Sequence, residues 1–193
     1  MELVVGISGA SGVGYGVRLL QVLAEEGCVT HLIITDSARK IMEIETDFSL
    51  QDVEKLASCV HPPDDFSAPV ASGSHPFDAV VIVPCSMGTL SSIASGSSDT
   101  LITRAADVCL KEKRRLILVP RETPLSLVQL KNMVAVAEAG AVVLPACPAF
   151  YSRPKSLEEL VDVLVGRMLD LLGVENDLYH RWKADTSVGR KCL

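Results

Sequence analysis

Gly6-Ile-Ser-Gly9-Ala-Ser11-Gly12-Val-Gly14-Tyr15-Gly16 is a glycine-rich turn with hydroxyl side chains where a short apolar run passes into a helical pattern. Glycine permits positive φ and leaves the backbone bare. The first N–H groups of the following helix have no partner within it, so this order of elements makes an anion site that suits a phosphate. No three glycines stand as G-x-G-x-x-G, and Thr35 rather than an acid ends the run His31-Leu-Ile-Ile34. A dinucleotide therefore fits less well than a mononucleotide phosphate or ribityl chain. A tight turn that binds nothing is the alternative. Pro84-Cys85-Ser86-Met87-Gly88-Thr89-Leu90 repeats the logic of the first loop, beside the simpler reading of Ser86 as a helix N-cap.

Charged side chains recur at the same kind of position. Arg104 and Lys111 stand seven residues apart on one helical face, with Asp107 placed to pair with both. They are either solvated ion pairs or a clamp for a dianion. Pro120-Arg121-Glu122-Thr123-Pro124 holds a charge pair in a proline-bracketed turn, and Pro145 to Pro154 carries Tyr151 on a stiff loop. In the last long helix the stripe Leu157, Leu160, Val161, Leu164, Val165, Met168 and Leu172 is expected to be buried. Arg167 falls roughly 20° beyond Leu160 at its edge, placed to reach water, a phosphate or a neighbouring subunit.

The elements that must position these groups follow from hydrophobic period. Apolar runs at Leu3–Val5, His31–Ile34, Ala79–Val83, Leu116–Val119 and Ala141–Leu144 are continuous rather than alternating, as in strands covered on both faces. The first helix is expected to bury Val13, Val17, Leu20 and Ala24, and helical patterns follow at 86–94, 99–113, 125–139 and 156–172. The βαβα order predicts an α/β fold: a three-layer, Rossmann-like, doubly wound parallel sheet in one domain spanning 1–183, with a tail at 184–193. Pro84, Pro120 and Pro145 directly follow their apolar runs, so the residues after them should face the crevice at the strands' carboxyl ends. The segment from Asp47 to Pro76 follows neither period and is either an active-site flap or a connection.

Composition narrows the function classes. At 193 residues and 48% apolar the chain can bury a full core, and a net charge of −6 argues against a nucleic-acid face. No apolar run approaches the ~20 residues that span a bilayer, and Met1 leads directly into a strand. The expected location is cytoplasmic, with no membrane partner. The six cysteines form no C-x-x-C pair, and the four histidines are scattered in sequence, so no metal site is expected.

Six blocks together carry a resemblance. Gly9-Ala-Ser-Gly-x-x-Tyr-Gly16, Ala71-Ser-Gly-Ser74, Pro84-Cys-Ser-x-Gly-Thr-Leu90, Arg104-Ala-Ala-Asp-Val-x-Leu-Lys-Glu112, Val119-Pro-Arg-Glu-Thr-Pro124 and Phe150-Tyr-x-x-Pro154 resemble, in order and over nearly the whole chain, the UbiX flavin prenyltransferases. The resemblance implies transfer of a dimethylallyl group from its monophosphate to reduced FMN, with no metal, making prenylated FMN for a UbiD-type decarboxylase. It would place Gly9, Ala10, Ser11, Thr35, Ser86, Met87, Gly88, Thr89 and Arg121 on FMN, and Arg104, Lys111, Tyr151 and Arg167 on the prenyl phosphate. Ser11 and Glu122 would be catalytic, handling protons. It also implies a homododecamer with sites shared between subunits. Phe66 stands where some relatives have tryptophan, a stronger π-donor. Two other readings are an FMN-dependent cysteine decarboxylase, disfavoured because no histidine adjoins an expected strand tip, and a non-catalytic flavin-binding module.

Overall fold

A computed structural model describes residues 1–182, so the tail expected at 184–193 lies outside the described residues. Two compact units meet in sequence at Cys147 and Pro148. The first holds strands β1 (Glu2–Ile7), β2 (Val29–Ile34), β3 (Cys59–His61), β4 (Ala79–Cys85), β5 (Arg115–Pro120) and β6 (Val142–Val143). Its helices are α1 (Val13–Glu25), α2 (Asp36–Glu45), α3 (Leu50–Glu54), α4 (Met87–Ala94), α5 (Leu101–Lys111) and α6 (Leu127–Glu138). The second unit contains α7 (Leu157–Leu172).

All strand pairs are parallel, in the order β3-β2-β1-β4-β5-β6. This is the doubly wound sheet the βα pattern predicts. Apolar side chains alternate between two covered faces. Val4, Ile33, Val80, Ile82, Leu116 and Leu118 share one core with Leu90 and Ile93 of α4, Leu101, Ile102 and Val108 of α5, and Val136 of α6. On the opposite face α1 lies so close that a Cβ added to Gly16 would stand 2.6 Å from the Val83 carbonyl oxygen and 3.0 Å from Ile7 Cδ1. Chain order reverses between β1 and β4, which makes the crevice above their carboxyl ends the topological switch point.

Several local expectations change. The strands do not stop before proline: Pro84 lies inside β4 and Pro120 ends β5. The β4–β5 register shifts between Ile82 and Cys85, and such an irregularity is where a sheet accommodates a residue without an N–H. Ala24 is exposed, while Leu19, Val22 and Leu23 complete the buried face of α1. In α7 the first residue, Leu157, is exposed, and Val163 and Leu169 join the buried stripe. Residues 47–76 contain α3, β3 and a 3-10 turn at Pro69–Ala71. Neither α2 nor β3 is expected from the sequence. α2 buries only Ala38 and Met42, and β3 is a three-residue edge with Cys59 and Val60 exposed. Among the described residues no helix is long and apolar enough to cross a membrane.

Candidate active site

The loops that leave β1, β2, β4 and β5 meet at their carboxyl ends. Ser8, fully buried, ties two of them: its backbone N–H and its hydroxyl both donate to the Pro84 carbonyl, at 3.2 and 3.0 Å, and its Oγ accepts from the Ser86 N–H at 2.7 Å. The β2 exit is tied as well, with the Thr35 N–H donating to the Ile7 carbonyl at 3.1 Å. An added Cβ at Gly9 would come 2.5 Å from Ser37 Cβ, so the glycine is what lets the first turn of α2 press against this loop.

The helices that follow β2 and β4 begin with hydroxyl caps. Thr35 Oγ1 accepts from Ala38 N–H and Ser86 Oγ from Thr89 N–H, both at 3.2 Å, and Ser86 Oγ lies 3.0 Å from Thr89 Oγ1. At Gly88 the nearest atom to an added Cβ would be Ser86 Oγ at 3.9 Å, so the backbone there is open. Arg121 Nε donates to the Ser11 carbonyl at 3.1 Å, bringing the β5 exit to the first loop. Glu122 is exposed beside it and accepts from Thr123 N–H at 3.0 Å. Gly9, Ala10, Ser11, Thr35, Ser86 to Thr89, Arg121 and Glu122 thus stand around one crevice.

Two of the residues that build this crevice escape the sequence reading. Besides Ser8, Glu45 at the end of α2 accepts from Gly12 and Val13 N–H at 2.8 and 3.2 Å. In this structure the N–H groups at the start of α1 that the sequence assigns to a phosphate are met by a protein carboxylate. Cys85, at the end of β4, is no nucleophile: burial pushes its thiol up to about 12.

Arg104 and Lys111 share the face of α5 that meets the Ala71–Ser74 segment. Arg104 donates through Nε to the Ala71 carbonyl at 3.0 Å and through an NH1 hydrogen to Asp107 at 2.9 Å. Asp107 does not serve both cations, because Lys111 pairs with Glu112 and its Nζ lies 2.8 Å from where a Gly73 Cβ would be. Seven residues at ~1.5 Å each carry Lys111 about 10 Å beyond Arg104, toward the amino ends of the strands. Within one chain Lys111 is not brought to the crevice. In the second unit Tyr151 meets Trp182 edge to face at 5.4 Å, and Arg167 pairs with Asp170 at 3.1 Å. Phe66 is exposed.

The histidines are not scattered in space: His31, His61 and His75 gather with Glu2. His61 also ends β3, contrary to the expectation that no histidine adjoins a strand tip, but its ring stacks on His31.

The family model described as Flavoprotein matches residues 1–169. A flavin prenyltransferase UbiX of Thermoplasma acidophilum is 55% identical over 182 residues, covering 94% of this chain and 100% of the relative. The protein of that name from Escherichia coli K12 is 50% identical, covering 94% and 98%. Among solved structures, AnUbiX (PadA1) in complex with FMN and dimethylallyl pyrophosphate superposes with a TM-score of 0.93 at 47% identity, covering 94% and 97% of the two chains. A dodecameric FMN-dependent UbiX-like decarboxylase from Escherichia coli O157:H7 does so with a TM-score of 0.93 at 44% identity, covering 95% and 100%. The cysteine decarboxylase TvaF, 22% identical with a TM-score of 0.62, shares the fold alone.

Proposed function

The chain belongs to the UbiX-type flavin prenyltransferase family, and from that membership we propose that it transfers a dimethylallyl group from dimethylallyl monophosphate to reduced FMN, giving prenylated FMN for a UbiD-type decarboxylase. The observation that carries the reading is the convergence of the Ser8–Gly12, Thr35–Ser37, Ser86–Thr89 and Arg121 segments on the switch point between β1 and β4. The crevice fits FMN in its donor set: the open backbone at Gly88 admits a close approach, hydroxyls cap α2 and α4, and Arg121 brings a cation to the rim.

Reduced FMN supplies the nucleophilic nitrogen N5 and the aromatic carbon C6 at which the new ring closes. As the prenyl C–O bond breaks, the leaving phosphate gathers charge that fixed cations must meet. Arg104, Lys111 and Arg167, with the Tyr151 hydroxyl, are the groups assigned to it. Glu122, at the rim beside Arg121, moves the proton lost at C6, and Ser11 relays one to the prenyl double bond. The crevice must also exclude water, which would otherwise capture the allylic carbon.

Lys111 lies away from the crevice of its own chain, so the reading has another copy of the chain supply it, in a homododecamer whose sites lie between subunits. The dodecameric neighbour supports that assembly. So does the exposed apolar stripe Leu127, Val128, Leu130 and Val134 on α6. To test the function, the product made anaerobically from reduced FMN and dimethylallyl phosphate is added to a UbiD-type decarboxylase lacking its cofactor. Decarboxylation should appear with the product and not with FMN. Equal rates with both would overturn the proposal.

A further inference from the structure

We propose that Glu2, His31 and His75 form a divalent transition-metal site, matched to Zn2+, that fastens the connection before β4 to the amino-terminal edge of the sheet. The three residues come from three segments: the first residue of β1, the third of β2 and the loop after the 3-10 turn. Glu2 pairs in register with Val29, which places Glu2 and His31 on one face as diagonal neighbours.

Glu2 Oε1 lies 2.9 Å from His31 Nε2 and 2.6 Å from His75 Nε2, and the three ligand atoms all lie within 4.8 Å of one another. Zinc takes imidazole nitrogen and carboxylate oxygen at about 2.0–2.2 Å, so tetrahedral ligand atoms stand roughly 3.4 Å apart. Lengthening the two contacts to Glu2 by less than about 1 Å, and bringing the two imidazole nitrogens, which lie within 4.8 Å of each other, to the same spacing, converts the hydrogen-bonded cluster into a coordination site. Two imidazoles and a carboxylate are a borderline-hard set that suits Zn2+, leaving a fourth position for water.

The surroundings are built as metal sites are built. His31 is 5% exposed, and its other ring nitrogen, Nδ1, faces His61 Nε2 at 2.8 Å with the rings stacked. With Nδ1–H donating to His61, His31 presents its Nε2 lone pair inward, the arrangement in which an outer partner fixes the ligating tautomer. His75 is held through its backbone: Arg114 donates to the His75 and Gly73 carbonyls, both at 2.8 Å, while its guanidinium lies over Phe77 at 4.4 Å. The Glu2 and His75 side chains keep 29% and 28% of their surface exposed, which leaves an entry path. The crevice at the other end of β1 is about 16 Å away at ~3.3 Å per residue, so this site is separate from the flavin chemistry.

The test uses the full chain loaded with FMN, stripped with chelator and titrated with Zn2+ and, separately, Co2+. The proposal expects one Zn2+ per chain by elemental analysis and calorimetry, and the intense visible absorption of four-coordinate Co2+. Glu2→Gln and His75→Ala should each weaken Zn2+ at least tenfold while retaining FMN binding and the far-ultraviolet spectrum of the parent. His61→Phe should weaken it by about 10- to 100-fold. Replacing Cys28, Cys59 and Cys147 by alanine should change nothing. Binding well below one equivalent, binding that survives both Glu2→Gln and His75→Ala, or binding lost with the cysteines would overturn the proposal.

Discussion

At Gly9 the distance to Ser37 decides what substitution does. An alanine methyl would collide with the Ser37 Cβ at 2.5 Å and push the β1 loop away from the start of α2. Gly9→Ala should therefore raise the dissociation constant for FMN at least tenfold, read by quenching of flavin fluorescence. Gly14 is the control: nothing lies within 4 Å of its added Cβ, so Gly14→Ala should leave FMN binding unchanged and stabilise α1 by up to about 1 kcal/mol. Glu122 is argued as a proton carrier, so Glu122→Gln should slow product formation by about 100-fold or more in single turnovers with FMN affinity unaltered. An unchanged rate would remove Glu122 from the reaction. Ser11, Ser86 and Arg121 are legible in the sequence because each sits in a short glycine- or proline-marked turn at the end of an apolar run. Ser8 and Glu45 are not, since their roles are set by partners 76 to 78 and 32 to 33 positions away.

At the scale of elements, long apolar strands and strongly amphipathic helices declare themselves, and α2 and β3 do not. α2 buries two residues, and β3 is an exposed three-residue edge whose place depends on pairing with β2. The histidine cluster hides for the same reason: strand register brings His31 and His61 together and a loop adds His75, so spacing along the chain does not reveal it. In the second unit, α7 is fastened to the chain that follows it by Asp170. Burial would raise the Asp170 carboxyl, but hydrogen bonds from Arg181, Tyr179 and Asn176 outweigh it and hold the group at about 2. The group is depressed below its unfolded value near 3.9, so its contribution is complete above about pH 4 and is lost as pH falls through about 2. Asp170→Asn should accordingly lower the melting temperature at pH 7, with the gap to the parent closing between about pH 4 and pH 2. A gap that stays constant over that range would contradict the ionic account of this tie.

For the whole molecule the decisive question is how separated groups reach one site. Arg104 and Lys111 lie along α5 with Lys111 carried away from the crevice of its own chain, and α6 exposes Leu127, Val128 and Val134 by 66%, 67% and 56%. Apolar surface of that extent marks an interaction face. Val128→Glu should split the proposed homododecamer, seen by sedimentation as a smaller species, and reduce turnover at least tenfold while each subunit stays folded. Full activity in a dissociated subunit would refute the shared site. The central claim, that this crevice joins a prenyl group to reduced FMN, is tested most directly by mixing the protein, reduced FMN and dimethylallyl phosphate without oxygen and weighing the flavin. The account predicts a product heavier than FMN by one five-carbon prenyl unit, formed only when the protein is present; flavin recovered at its starting mass would contradict it.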